Sequence, residues 1–198
     1  TAGRDGRFQV SLPSLPAGGP YELTIAAPSG ATVFQDILVG DVFLCSGQSN
    51  MEMTVSDGQS MIPAAHAPAD PQLRLLTVEK DTALTPEAHF ARQPGWAMAG
   101  PDSVPAFSAA CFYMVQALRQ SAGVPIGAIH SSWGGSRISA WMSEPALRAG
   151  GLSDQADMLA LYARDPAAAN RRAAGEWEAW WRTQTGDVTG SEPWQPQA

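Results

Sequence analysis

The chain is poor in basic residues and in long apolar runs. Its 198 residues include 12 lysines and arginines against 19 aspartates and glutamates, which gives a formal net charge of −7. Because no basic run stands out, the sequence argues against a nucleic-acid or anionic-membrane partner. No apolar stretch is long enough to cross a bilayer, so we expect no membrane-spanning segment.

Cysteine is also scarce, with only Cys45 and Cys111 in the chain. Both lie in apolar segments, and we interpret them as small buried hydrophobic side chains. The two residues give neither a disulfide framework nor the spacing of a metal site, so the redox compartment stays open. We predict no metal and no cofactor.

The first part of the chain has the pattern of antiparallel strands. Hydrophobic residues make up 44% of the sequence, enough for a sizeable core in one domain or in one domain plus part of another. Residues 7–12 and 21–25 alternate between apolar and polar, and a turn-rich connection separates them. Two strands alone are only marginally stable. We therefore expect residues 1–37 to be the end of an N-terminal β domain.

The pattern then changes to that of an α/β domain. Strands are predicted at 33–38, 42–45, 73–78 and 125–129, with a helix from Phe107 to Leu118 that Ser103 could cap and Gly123 could end. A strand, a crossover containing a helix and a second strand form a parallel βαβ unit. Ligands of such sheets bind beyond the carboxyl ends of the strands. Residues 153–182 have a helical pattern.

Two polar segments follow predicted strands at that edge. In the first, Gly47-Gln48-Ser49-Asn50-Met51, a serine could serve as a nucleophile, but Met51 replaces the second glycine of the common Gly-x-Ser-x-Gly elbow. The alternative is a capped turn, because serine and asparagine are frequent helix caps. The second segment, Trp133-Gly134-Gly135-Ser136, could place a backbone N–H against an oxyanion or could be a simple tight turn.

Three stretches resemble the sialate O-acetylesterase family of the SGNH hydrolase superfamily. Residues 40–52, GDVFLCSGQSNME, look like the family's nucleophile block, residues 124–142 resemble its second block, and residues 17–22 resemble the β segment before the first. The resemblance implies an α/β fold with an SGNH-type (flavodoxin-like) three-layer parallel sheet, preceded by part of an antiparallel β domain. It places the first part of the catalytic domain at 38–150 and the helical start of an insertion at 151–198.

The resemblance also implies roles for individual residues. Ser49 would be the nucleophile, and the backbone N–H groups of Ser49 and of Gly135 or Gly134 would form the oxyanion hole. Gln48 and Asn50 would contact the substrate, an acetylated sugar. Arg137 could contact an acidic sugar or could simply pair with a nearby carboxylate. Sialic acid and hemicellulose (xylan or xyloglucan) are both reasonable sources of that sugar. A catalytically inactive carbohydrate-binding or scaffold protein with the same core is the alternative.

The family's catalytic His and Asp have no counterpart here. Such enzymes carry them near the C-terminus, as Asp-x-x-His or similar, and nothing after residue 147 matches. Of the three histidines, His66 and His89 lie in proline-rich loops, and His130 follows a predicted strand, where it could line the pocket or act as the base. We expect the chain to be a fragment whose missing base comes from a second polypeptide of the same protein. We also expect a periplasmic or secreted location.

Overall fold

A computed structural model describes Gly3, residues 6–58 and residues 68–187 of the chain. The described residues form two compact units. The first comprises those up to Asp81 together with Ala88–Ser136, and the second comprises Thr82–Glu87 with those from Arg137 onward. The predicted boundaries at 37/38 and 150/151 stay predictions. No helix among the described residues is long and apolar enough to cross a membrane.

Among its described residues, the first unit contains six strands and two helices. The strands are β1 (Gly18–Ala27), β2 (Gly30–Val39), β3 (Asp41–Gly47), β4 (Asp70–Thr77), β5 (Ala97–Ala99) and β6 (Ile126–Ser132). The helices are α1 (Ser49–Glu52) and α2 (Ala109–Ala122), and a 3-10 turn follows α1 at Val55–Asp57.

Strands β1 and β2 form an antiparallel hairpin. The prediction of a strand at 21–25 is confirmed, but the strand predicted at 7–12 is wrong. Residues 7–12 are irregular and exposed. Strand β1 pairs instead with β2, because the two-residue turn at Pro28 and Ser29 returns the chain directly along it. An ion pair of 2.7 Å between Arg74 of β4 and Asp36 of β2 ties the hairpin to the rest of the unit.

The remaining four strands form one sheet in the order β3-β6-β4-β5. Strand β6 is parallel to both β3 and β4, which confirms the parallel α/β prediction. Strand β5 is antiparallel to β4, and no sequence pattern predicted it. Because β3 and β6 run side by side, Gly47 lies opposite Ser132 and the two polar segments leave the sheet together.

Helix α2 covers one face of this sheet. The main buried side chains between the helix and the sheet are Cys45, Leu73, Leu75, Cys111, Phe112, Val115, Ile126 and Ala128. Gly123 ends the helix in the left-handed conformation, as predicted, but the N-cap is Ser108. The predicted cap, Ser103, instead accepts from the Gly100 N–H and donates to the Met98 carbonyl, which stabilises the turn before the helix.

The two cysteines are bonded to each other, which corrects their interpretation as isolated hydrophobic side chains. The disulfide joins Cys45 of β3 to Cys111 of α2, with their Cα atoms 5.8 Å apart. Both residues are buried in the core, as expected, but they approach only because α2 packs across β3. The sequence separation of 66 residues gave no sign of this pairing.

The opposite face of β3 is open among the described residues of the first unit. Val42 and Leu44 are 61% and 68% exposed, although they occupy the middle of a parallel strand. The three-layer arrangement, which needs helices on both faces of the sheet, therefore stays a prediction.

The second unit is helical, as predicted for residues 153–182. It contains a 3-10 turn at Ile138–Trp141 and the helices α3 (Glu144–Ala149), α4 (Ser153–Arg164) and α5 (Pro166–Thr185). Asp165 separates α4 from α5 and caps the latter by accepting from the Ala168 N–H at 2.9 Å. Trp177 and Trp180 of α5 are about half exposed, so they are not core residues of the described chain.

Candidate active site

The turn after β3 presents the hydroxyl of Ser49 at the surface. Gly47 ends the strand with φ +153°, a conformation that side chains disfavour, and Ser49 is the first residue of α1. The N-cap is Gln48, and it makes no side-chain capping bond. Ser49 is exposed, and its Oγ donates to Gln48 Oε1 at 2.8 Å. The capped-turn alternative is therefore wrong for Ser49, whose hydroxyl satisfies no helix N–H.

The segment after β6 lies directly against this turn. The Trp133 N–H donates to the Gly47 carbonyl at 3.0 Å. A Cβ at Gly134 would lie 3.5 Å from Ser49 Cα and 2.6 Å from Glu52 Oε2. A side chain at Gly134 would displace the Glu52 carboxylate, so glycine allows the second polar segment and Glu52 to approach this closely.

The structure separates the two glycines proposed for the oxyanion hole. The Gly134 N–H donates to the Glu52 carboxylate, so it is not free to bind an oxyanion. Gly135 is exposed and has φ +78°. Within the described residues, no hydrogen bond engages the N–H groups of Ser49 and Gly135. Of the predicted donors, these two remain available.

Glu52 links three segments around the turn, a role that no sequence pattern predicted. One carboxylate oxygen accepts from Gly134, and the other pairs with Lys80, which follows β4. Lys80 Nζ also lies 5.6 Å from the centroid of the Trp133 ring. The hydrogen bond from Lys80, followed by that from Gly134, lowers the pKa of Glu52, so the carboxylate is charged at neutral pH.

A serine and a histidine do pair in this chain, but below the surface. His130 Nε2 and Ser132 Oγ are 2.5 Å apart, and the two residues are only 6% and 7% exposed. The Phe107 ring packs edge-on against the imidazole, with centroids 5.5 Å apart. Burial lowers the pKa of His130. Because His130 Nε2 pairs with Ser132 rather than Ser49, the geometry does not support the alternative in which His130 is the base.

The other predicted residues lie at the edge of the sheet or beyond it. Gln48 and Asn50 are exposed on either side of Ser49. Arg137 is exposed and precedes the 3-10 turn that opens the second unit, and its role stays a prediction. His89 is exposed in the loop before β5, and His66 lies outside the described residues. Among the residues with described positions, no cluster of histidine, cysteine and carboxylate groups could hold a metal.

Comparison with known protein families shows which family the chain belongs to. The model of the family described as "carbohydrate esterase, sialic acid-specific acetylesterase" matches residues 39–162. The chain belongs to this family. The match confirms the resemblance that the sequence segments indicated. It includes both polar segments, the one that contains Ser49 and the one that follows β6.

Individual relatives agree with this family. The chain is 32% identical to the sialate O-acetylesterase of Mus musculus over 161 residues, which cover 76% of the chain and 30% of the relative. It is 32% identical to that of Homo sapiens over 160 residues, covering 75% and 30%. The crystal structure of a carbohydrate acetylesterase from Xanthomonas citri is similar with a TM-score of 0.70 and 38% identity, over 77% of the chain and 34% of that protein. The chain thus spans about a third of the length of these members of the carbohydrate esterase family.

Proposed function

We propose that this chain carries the nucleophile of a carbohydrate O-acetylesterase, with Ser49 as the attacking residue. The observation that carries the proposal is the placement of the Ser49 hydroxyl. It is exposed at the carboxyl end of β3, is not used for capping, and lies beside a glycine segment whose Gly135 N–H is unoccupied among the described residues. Membership in the carbohydrate esterase family supports the same reaction.

In the proposed reaction Ser49 Oγ attacks the acetyl carbonyl of an acetylated sugar. A new bond forms between Oγ and the carbonyl carbon, and a base accepts the hydroxyl proton. The backbone N–H groups of Ser49 and Gly135 hold the negative oxygen, and each such donor is worth about 3 kcal/mol of barrier. The bond to the sugar oxygen then breaks, the base returns its proton to the leaving alcohol, and water hydrolyses the acetyl-enzyme.

The base must come from residues other than the described histidines. Gln48 Oε1 accepts the Ser49 proton in a hydrogen bond, but an amide oxygen is too weakly basic to remove it. Neither His89 nor His130 bonds to Ser49. We propose that the imidazole and its orienting carboxylate come from another part of the same protein, as a second polypeptide or segment held against this one.

Two further properties belong to this proposal. The substrate is an acetyl ester of sialic acid or of a hemicellulose such as xylan or xyloglucan, and the names of the mammalian relatives favour the former. Gln48, Asn50 and Arg137 are the proposed contacts to the sugar. The protein resides in the periplasm or outside the cell, which the Cys45–Cys111 disulfide supports because disulfides persist in oxidising compartments.

The test is acetate release by the complete protein from O-acetylated sialic acid, acetylated xylan and a chromogenic phenyl acetate. Ser49→Ala should reduce hydrolysis by about 10⁴-fold or more. Ser46→Ala is the matched control, because Ser46 is also exposed at the end of β3 and should be dispensable.

Each outcome separates the candidate functions. Release that depends on Ser49 supports the esterase, and the preferred ester identifies the sugar. Acetate release that depends on Ser46 would show that Ser46, and not Ser49, is the nucleophile. Binding of acetylated sugar without release that depends on Ser49 would favour the inactive carbohydrate-binding or scaffold protein.

A further inference from the structure

The segment after β6 is fixed on the nucleophile turn by consecutive backbone donors. The Trp133 N–H bonds to the Gly47 carbonyl at 3.0 Å, and the Gly134 N–H bonds to the Glu52 carboxylate. The next N–H along the chain, that of Gly135, is the one proposed to bind the oxyanion. The direction of this third donor therefore depends on where the first two are held.

Glu52 is an unusual acceptor for this position. A carboxylate beside a site that develops negative charge would oppose the reaction, because like charges at short range repel strongly in a partly desolvated site. Lys80 offsets this effect, since it pairs with the other oxygen of the same carboxylate. The ammonium also lies over the Trp133 ring, 5.6 Å from its centroid.

Glu52 and Lys80 thus form one network of contacts with the second polar segment, at Trp133 and Gly134. Glu52 is in the same short helix as Ser49, Lys80 follows the neighbouring strand β4, and Trp133 and Gly134 belong to the second polar segment. A Cβ at Gly134 would lie 3.6 Å from Ser49 Cβ, so a small shift of this segment changes its distance from the nucleophile.

We propose that Glu52 and Lys80 are positioning residues for the oxyanion hole: the carboxylate holds Gly134 so that the Gly135 N–H faces the acetyl oxygen, and the ammonium neutralises the carboxylate. This inference rests on the proposed function. An exposed ion pair without such a role contributes little, so its removal would have almost no effect on the rate.

The kinetic test compares Lys80→Met, Glu52→Gln and the double variant in the complete protein with a chromogenic phenyl acetate. Lys80→Met leaves the carboxylate uncompensated and should lower kcat about 10- to 100-fold with KM unchanged, since small displacements of catalytic groups have effects of this size. Glu52→Gln keeps an oxygen acceptor for Gly134 and should lower kcat less.

The double variant gives the decisive result. It should recover to the level of Glu52→Gln, because no unpaired carboxylate remains once Glu52 is neutral. Arg92→Met is the matched control, since Arg92 forms an exposed 2.8 Å ion pair with Glu79, the residue before Lys80, and its removal should leave kcat unchanged. The proposal would be overturned if the kcat decrease of the double variant equalled the product of the two single decreases. It would also be overturned if Lys80→Met left kcat unchanged.

A second readout tests the hydrogen bond apart from activity. Amide hydrogen exchange at Gly134, followed by NMR in this chain, should accelerate about 10-fold or more in Glu52→Ala but not in Arg92→Met. Unchanged exchange would show that Glu52 does not hold the segment and would overturn the inference by itself. Exchange at Gly134 could accelerate in Glu52→Ala while no hydrolysis depends on Ser49. In that case the proposed function fails, and the Glu52–Gly134 hydrogen bond has no catalytic role.

Discussion

Strands β3 and β6 end side by side, yet the serines at their ends have opposite surroundings. Ser49 follows β3 and is exposed, and among the described residues its hydroxyl bonds only to the neighbouring Gln48 side chain. Ser132 ends β6, is buried, and has an imidazole partner at 2.5 Å. A serine–histidine contact is therefore not enough to indicate catalysis. An ester can reach the first hydroxyl, whereas Phe107 and the sheet enclose the second pair.

The comparison assigns stability to the covered side and the proposed chemistry to the exposed edge. The disulfide, the core beneath α2 and the His130–Ser132 pair all lie on the covered side. The glycine segment, Glu52 and Ser49 lie at the edge. Changes on the covered side should therefore lower the free energy of unfolding while leaving hydrolysis per folded molecule almost unchanged, and changes at the edge should do the reverse.

The largest effect on the free energy of unfolding is expected from removing the disulfide. A bond that closes a 66-residue separation stabilises a protein by about 4 kcal/mol in the chain-entropy model. The double variant Cys45→Ala/Cys111→Ala should lose roughly this free energy of unfolding, measured by urea denaturation. Wild type in reducing agent should match the double variant, and an unchanged denaturation midpoint in both would refute the assignment of stability to this link.

At the edge, the largest effect on kcat after that of Ser49→Ala should come from Gly134→Ala. The added methyl group would lie 2.6 Å from Glu52 Oε2, so either the carboxylate or the segment must shift. We expect kcat to fall about 10²-fold, the size associated with misplaced catalytic groups. Gly95→Ala is the control, because a Cβ at Gly95 meets no atom within 4 Å. Equal kcat values for Gly134→Ala and Gly95→Ala would contradict a catalytic role for this edge of the sheet.

Ser132→Ala should have the converse effect. It leaves His130 Nε2 buried without its partner, which costs about 1–3 kcal/mol of stability. Because Ser132 takes no part in the proposed chemistry, hydrolysis per folded molecule should stay within about 3-fold of wild type, a change small beside that of an oxyanion donor. A loss of activity as large as that of Ser49→Ala would mean that the buried pair is the catalytic one.

The smallest effect is a pH dependence of stability from His130. Burial lowers the pKa of His130 in the folded chain, so the unfolded chain binds more protons between that value and the ordinary histidine pKa. Stability should therefore be fully present above the ordinary value and decrease as the pH falls through this window. Thermal unfolding should show a smaller slope there in His130→Gln than in wild type, while the exposed His89→Gln should retain the full slope.

The sequence predicted those features that local patterns determine. The parallel strands, the Gly123 helix end and the two polar segments follow from short runs of residues. The role of Ser49 as nucleophile, which the family resemblance implies, stays a prediction. Contacts between distant segments gave no such signal: the Cys45–Cys111 bond and the Glu52–Lys80 pair depend on how α2 and β4 pack. Strand β5 was missed because three residues are too few to show a period. The alternation at 7–12 predicted a strand, but alternation alone supplies no pairing partner.

The most direct test of the central claim is covalent labelling of the complete protein with a phosphonate ester that traps serine nucleophiles. The account predicts one adduct, on Ser49, identified by mass spectrometry of the peptide that contains it, with hydrolysis lost in proportion to labelling. An adduct on Ser46 or Ser132, or hydrolysis that persists when Ser49 is fully labelled, would contradict it.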